Sequence, residues 1–126
     1  MPLYSIMTQS GTLDGSQKAN LAAEITTLHV ELSGVPRNWV HVIFQDYAPG
    51  SGFIAGEVGP TVSLTLSIRT GRTADYQHNL LTRLWALLQK ATTAIDDQIV
   101  IGIQEVPPVH AMEMGQVMPD VAPNVQ

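Results

Sequence analysis

The residue types in this 126-residue chain that could do chemistry are Pro2, His29, Arg69, Arg72 and Glu113. A proline that follows the initiator methionine permits removal of Met1, which would leave a secondary amine on a rigid ring at the start of a strand. With Met1 attached, the same nitrogen is an amide and cannot act as a base. An α-amino group titrates at about 8, and burial beside cations lowers that value. Arg69 and Arg72 lie in IRTGRTAD, residues 68–75, one at a strand end and the other just before a helix start. Two guanidiniums beside a helix N-terminus make a site for a carboxylate; the plainer reading is a pair of solvated surface arginines. Glu113, in HAMEMGQVMP, is flanked by methionines. An apolar setting raises a carboxyl pKa and suits general acid or base work, against the simpler reading of an exposed residue on an arm. His29 falls on the edge of an apolar helical stripe, where a histidine is either a satisfied boundary residue or a polar group turned into a site. His41, His78 and His110 have no metal-ligand spacing with it, so no metal is expected. No phosphate-binding loop, nucleophile elbow or dinucleotide fingerprint occurs.

These residues need elements to position them. Residues 2–8, PLYSIMT, read as a short strand. Asp14 followed by Gln17 forms a capping-box start, and Leu21, Ile25, Leu28 and Leu32 repeat at helical spacing. Gly34 and Pro36 end that helix, and WVHVIFQ, 39–45, is a strand rich in β-branched and aromatic residues. The plan then repeats. TVSLTLSI (61–68) is a strand, Thr73 a helix cap, Leu80, Leu84, Leu87 and Ala91 a helical stripe, and IVIGIQE (99–105) a closing strand. A shift of 59 lays Leu21 on Leu80, Ile25 on Leu84, Leu28 on Leu87, and Gln45-Asp46 on Gln104-Glu105. The expected fold is α/β (α+β) with two consecutive β-α-β units, since each helix can bury its stripe only against a sheet. One domain is expected: unit one at about 2–46, a Gly/Pro-rich loop over 47–60, unit two at about 61–106, and a proline-rich C-terminal arm at about 107–126 whose final APNVQ is expected to be disordered.

Composition narrows the function classes. The net charge of −5 with only six Lys and Arg gives no electrostatic basis for binding nucleic acid or an anionic membrane. No cysteine is present, which excludes disulfides, thiolate metal sites and a cysteine nucleophile. No leader and no apolar run of about 18 residues is visible, so a soluble cytoplasmic protein is expected. A slightly positive mean hydropathy of +0.10 in so small a chain favours oligomerisation.

As a set, Pro2, His29, Arg69-x-x-Arg72 in RTGRTAD, the loop FQDYAPGSGFIAG (44–56) and Glu113 in EVPPVHAMEMG resemble cis-3-chloroacrylic acid dehalogenase and its homologues in the tautomerase superfamily. The resemblance runs from Pro2 to about Pro119. It implies a 4-oxalocrotonate tautomerase-like homotrimer with the proline at the floor of a pocket near subunit boundaries, and no cofactor. It also implies that Arg69 and Arg72 hold the carboxylate of a small substrate, that His29 helps to bind and polarise it, and that Glu113 activates water in the dehalogenase branch. One position departs: where that branch has a tyrosine, this chain has Gly102, and Tyr47 is the phenol that could reach a pocket from its loop. The first expectation is therefore a tautomerase that interconverts a 2-hydroxy-2-alkenoate and its 2-keto acid with Pro2 as general base. The second is hydration or dehalogenation of three-carbon acids with protonated Pro2 as general acid. The third is a non-enzymatic oligomeric binding protein with a vestigial site.

Overall fold

Two helices that each carry one apolar stripe need a common surface to cover it, and a single four-stranded sheet supplies it. The computed structural model describes residues 1–122. In chain order it has β1 (Leu3–Gln9), α1 (Gly15–Ser33), β2 (His41–Tyr47), β3 (Phe53–Ile54), β4 (Glu57–Val58), β5 (Val62–Arg69), α2 (Ala74–Thr92), β6 (Ile99–Val106), β7 (Met112–Glu113) and β8 (Gln116–Val117). The sheet order is β2-β1-β5-β6. β1 and β2 pair in parallel, as do β5 and β6, and the two β-α-β units meet where β1 and β5 pair antiparallel. One sheet face packs against both helices. Tyr4 and Ile6 from β1 and Leu64, Leu66 and Ile68 from β5 bury against Leu21 and Ile25 of α1 and Leu80, Leu84 and Leu88 of α2. Trimming one of these leucines to alanine would cost about 2–5 kcal/mol through lost burial and the cavity left behind.

The repeat is closer in three dimensions than the apolar pattern suggested. Adding 59 to the bounds of α1, of the 3₁₀ turn at Arg37–Trp39, of β3 and of β4 gives α2, the turn at Asp96–Gln98, β7 and β8. Both helices end in the same hydroxyl clasp. Ser33 Oγ donates to His29 O at 2.7 Å and accepts from Val35 N at 3.2 Å; Thr92 Oγ1 does the same with Leu88 O and Ala94 N at 2.7 and 3.2 Å. Both C-caps are left-handed, Gly34 at φ 74° and Thr93 at φ 59°. In the first strands the offset becomes 60, so that buried Tyr4 and Ile6 match Leu64 and Leu66, because the loop from β5 to α2 is one residue shorter.

The helix starts match expectation. The Asp14 side chain accepts from Gln17 N and the Gln17 side chain accepts from Asp14 N, both at 2.8 Å; Thr73 Oγ1 accepts from Tyr76 N at 3.1 Å. Other details differ. Leu88 and Thr92, rather than Leu87 and Ala91, are the buried end of the α2 stripe, because the helix rolls its 80–84–88–92 row onto the sheet. Residues 37–39 form a turn, and β2 starts at His41. The Gly/Pro loop is not featureless: β3 and β4 make a small hairpin closed by Ala55 and Gly56 at positive φ. The arm holds the matching hairpin β7–β8. The expectation for APNVQ concerns residues of which 123–126 lie outside the described region.

The sheet's second face has no helices. Leu3, Ser5 and Met7 of β1, Ile43 of β2 and Val100 of β6 stand on it, with Leu3 43% and Val100 64% exposed. Gly102 lies on this face, paired with Thr65, and a Cβ there would meet nothing within 4 Å. No helix among the described residues is long and apolar enough to cross a membrane.

Tyr47 has a structural task. It pairs with Gln9 at the far end of β1 from Pro2. Its hydroxyl accepts from Thr61 N at 2.7 Å and donates to Thr61 O at 3.2 Å, locking the loop onto the start of β5. Within the chain it is therefore not a pocket phenol. Tyr47→Phe should lower stability by about 1–2 kcal/mol, the cost of leaving the Thr61 amide without its partner. That corresponds to roughly 3–8 °C in Tm for a chain this size. A melt superimposable on the wild type would show that the clasp contributes nothing.

Candidate active site

The register of two strand pairs decides what lies beside Pro2. In the antiparallel pair Leu3 stands opposite Ser67, so continuing one residue each way brings the start of the chain alongside Ile68 and Arg69. On the other side His41 N donates to Pro2 O at 3.1 Å. The Pro2 side chain is less than 2% exposed. β7 folds back over this end, and the terminal ammonium on Met1 meets the Glu113 carboxylate. That ammonium also approaches Met118 Sδ at 3.9 Å. Met1, Pro2, His41, His110 and Glu113 border a cavity of about 350 Å³. Burial first, and the charge of Arg69 second, bring the terminal amine down to about 6. While Met1 is attached this amine belongs to Met1, and the Pro2 nitrogen is an amide.

Arg69 is the last residue of β5 and is buried. Its guanidinium lies over the Trp39 ring, 5.3 Å from the centroid. One of its nitrogens donates to the carbonyls of Pro119 and Asp120 at 2.7 and 3.2 Å, which ties the C-terminal arm down. Arg72 precedes the Thr73 cap and lies over the Tyr76 ring at 4.9 Å. Gly71 between them has φ 127°, and a Cβ there would press on Val121 of the arm at 3.3 Å. Flat ring stacking suits guanidinium groups in particular, because they are planar and weakly hydrated. Ser33, Pro36, Trp39, Arg69, Arg72 and Asp120 border a cleft of about 200 Å³. Two cations at one strand-to-helix turn, one of them fixed by backbone carbonyls, can hold a carboxylate.

His29 is buried in α1, with Nδ1 2.7 Å from the Tyr4 hydroxyl and the two rings edge to face. Burial pushes the imidazole down to about 3, helped by the positive charges of Arg72, the terminal ammonium and Arg69. His29 is thus neutral at pH 7, and its ring feels both arginines and the chain's start.

The pseudo-symmetry tests which of these residues the fold itself requires. The opposite end of the sheet has an equivalent cleft, bordered by Gln9, Thr12, Thr92, Thr93 and Gln98. By the same offsets Arg69 corresponds to Gln9, Arg72 to Thr12, Trp39 to Gln98, His29 to Leu88 and Pro2 to Val62. One end folds with neutral or apolar residues at each place, while the other concentrates charge and aromatic rings. The fold by itself does not require these side chains. The structure places Pro2 and Glu113 on one cavity and Arg69 and Arg72 on a second cleft at the same end of the sheet, with His29 buried in α1 and bordering neither. The sequence reading did not single out Tyr4, Trp39 or Tyr76. A polar ring at an inward position of β1 was the available signal for Tyr4. Trp39 gave none, because its role depends on Arg69, distant in sequence, and Tyr76 passed as a residue of the helix stripe. No group of three His, Cys, Asp or Glu among the described residues could hold a metal ion.

The His29 environment has a measurable consequence for stability. Unfolded histidine protonates near 6.5 and folded His29 near 3. Between those values the unfolded state takes up the extra proton, so the His29 contribution falls as pH is lowered and is level above the window, while the terminal amine, lowered to about 6, adds a slope of the same sign above it. From pH 6.5 to about 5, before carboxylates contribute much, unfolding free energy should fall with a slope approaching about 1.4 kcal/mol per pH unit, and His29→Leu should flatten it. A wild-type stability that is constant across that interval would contradict the buried neutral imidazole.

Comparison with known proteins places this geometry. Residues 1–124 match the family described as "Putative oxalocrotonate tautomerase enzyme". No curated protein sequence matches the chain. The crystal structure of native Ps01740 is similar at 34% identity and TM-score 0.85, over 88% of this chain and 99% of that one. A protein called N1, a member of the cis-3-chloroacrylic acid dehalogenase family, is similar at 29% identity and TM-score 0.89, over 94% of this chain and 85% of that one. A fused 4-OT symmetric trimer shares the fold at 19% identity and TM-score 0.83, over 92% of this chain and 94% of that one. With its paired β-α-β units and a match over nearly its whole length, the chain belongs to the tautomerase family.

Proposed function

We propose that the chain is a cofactor-independent tautomerase whose base is the amine of Pro2 after Met1 is removed, acting on a 2-hydroxy-2-alkenoate to give the 2-keto acid. The observation that carries this reading is geometric: Pro2 is buried where the β1–β5 register brings the chain's start alongside Ile68 and Arg69, and burial with Arg69 lowers the basicity of the Met1 amine there. Pro2 lies one residue deeper and its ring is fully buried, so desolvation would act on its amine at least as strongly. A neutral amine at pH 7 removes the enol proton and returns it to carbon. Arg69 and Arg72 hold the carboxylate and offset negative charge gathering on the 2-oxygen, where fixed donors contribute most. His29, neutral, adds a hydrogen bond to the same end of the substrate.

Glu113 supports a second reading. A carboxylate against the terminal amine favours the protonated amine, which is the form needed to hydrate or dehalogenate a three-carbon unsaturated acid with Glu113 activating water. Gly102 offers no phenol to that chemistry. The uncovered sheet face and the projecting β3–β4 and β7–β8 hairpins, with Phe53, Val58, Met112 and Val117 exposed, suit a homotrimer that buries them.

The two chemistries need opposite protonation states. With Met1 removed, ¹⁵N-NMR titration of Pro2 should give a value below about 7, and kcat/KM on enol acids should fall as pH drops through it. A value above about 9 with no turnover of enol acids would eliminate the tautomerase reading. Intact mass showing Met1 retained would favour a binding protein. Arg72→Ala should cut kcat/KM by about 100-fold or more while moving Tm only slightly; equal losses in both would make Arg72 structural.

A further inference from the structure

The buried pair Tyr4–His29 stands out against the internal repeat. At the equivalent places in the second unit the chain has Leu64 and Leu88, 1% and 0% exposed, packed in the same core. Two leucines satisfy the fold there without any polar atom. Burying a phenol and an imidazole instead brings a desolvation cost that the pair's own hydrogen bond only partly offsets. Nothing in the packing asks for it, so the pair serves something beyond packing.

Hydrogen-bond accounting says what. The Tyr4 side chain is 0% exposed, and the one hydrogen bond of its hydroxyl among the described residues is to His29 Nδ1 at 2.7 Å. Were His29 the donor from Nδ1, the phenol proton would be buried with no acceptor, a cost of about 1–3 kcal/mol. With Tyr4 as donor, the phenol proton and Nδ1 satisfy one another and Nε2 is left to meet a ligand. Burial also raises the Tyr4 phenol above its usual range, so the proton stays on oxygen. An imidazole that accepts at Nδ1 and is neutral must carry its proton on Nε2.

We infer that Tyr4 is a positioning residue that fixes His29 as the neutral Nε2–H tautomer, making it a permanent hydrogen-bond donor toward a substrate oxygen rather than a proton acceptor. The tautomer stands on geometry alone; its use on substrate rests on the function proposed above. Arg69, Arg72 and a Tyr4-locked Nε2–H would then form a set of donors with no acceptor among them, which selects an anionic, oxygen-rich headgroup such as a 2-oxy carboxylate.

Long-range ¹H–¹⁵N spectra of the whole protein read the tautomer directly. The wild type should show His29 protonated on Nε2 and unprotonated on Nδ1; protonation on Nδ1 would overturn the inference whatever the activity. Tyr4→Phe should release the lock and give mixed or Nδ1–H tautomer. For any enol acid the wild type turns over, Tyr4→Phe should lower kcat/KM by roughly tenfold, with Tm lower only by the few degrees that one lost buried hydrogen bond costs. An unchanged tautomer and unchanged kinetics in Tyr4→Phe, in an active wild type, would reject Tyr4 while leaving the proposed function intact. If the wild type turns over none of the enol acids, that function fails and the spectra still decide the tautomer. The double change Tyr4→Leu with His29→Leu copies the second unit. It should fold at least as stably as the wild type and lose activity; a variant that fails to fold would show the pair to be structural.

Discussion

The antiparallel pairing of β1 with β5 is the constraint on which the site depends. Because Leu3 stands opposite Ser67, the beginning of the chain and the end of β5 share one edge of the molecule. A strand's register cannot slip by one residue without exchanging its buried and exposed faces, and Tyr4, Ile6, Leu64 and Leu66 hold it through the core. The same apolar contacts that stabilise the sheet therefore set the separation between the N-terminus and Arg69. The short turn from β5 to α2 then adds Arg72, and the first helix supplies His29 from the layer beneath.

Charge is concentrated here against its own cost. Arg69 and Arg72 are neighbours: Arg69 lowers the basicity of the terminal amine, and both lower that of His29. Like charges placed together are unfavourable unless something absorbs them. Trp39, Tyr76 and the carbonyls of Pro119 and Asp120 do so in the resting chain. The opposite end of the sheet, with Gln9, Thr12 and Gln98 in the matching places, shows the fold without that burden. An anion entering the charged end would relieve a repulsion already present, in line with the carboxylate role proposed for the two arginines.

Much of the architecture was legible in the sequence because it rests on local rules. Caps at Asp14 and Thr73, the break at Gly34 and the Leu21–Ile25 and Leu80–Leu84 stripes are properties of a few adjacent residues. The repeat was visible through the same stripes, but its full extent was not, since the paired hairpins and the Ser33 and Thr92 clasps have little sequence in common. The α2 stripe was misplaced toward Leu87 and Ala91 because leucines occupy both Leu87 and Leu88, and only packing decides which row faces the sheet. Candidate residues were found by type and resemblance. Their surroundings were not: Tyr4 under His29 and the arm carbonyls on Arg69 are contacts across 25 to 51 residues of sequence. Tyr47 shows the converse, a residue whose type suggested chemistry and whose hydroxyl belongs to a loop clasp.

The central claim is that a free secondary amine on Pro2 lies within reach of a carboxylate held by the arginines. An acetylenic 2-keto acid tests it directly, since its carboxylate would dock on the arginines and its alkyne would alkylate an adjacent nucleophilic amine. Mass spectrometry of the treated protein should show a single adduct on an N-terminal peptide that begins at Pro2, formed more slowly in Arg72→Ala and when a saturated 2-keto acid competes. Labelling that falls on lysines or histidines at random, or an unmodified peptide that still begins with Met1, would contradict the account.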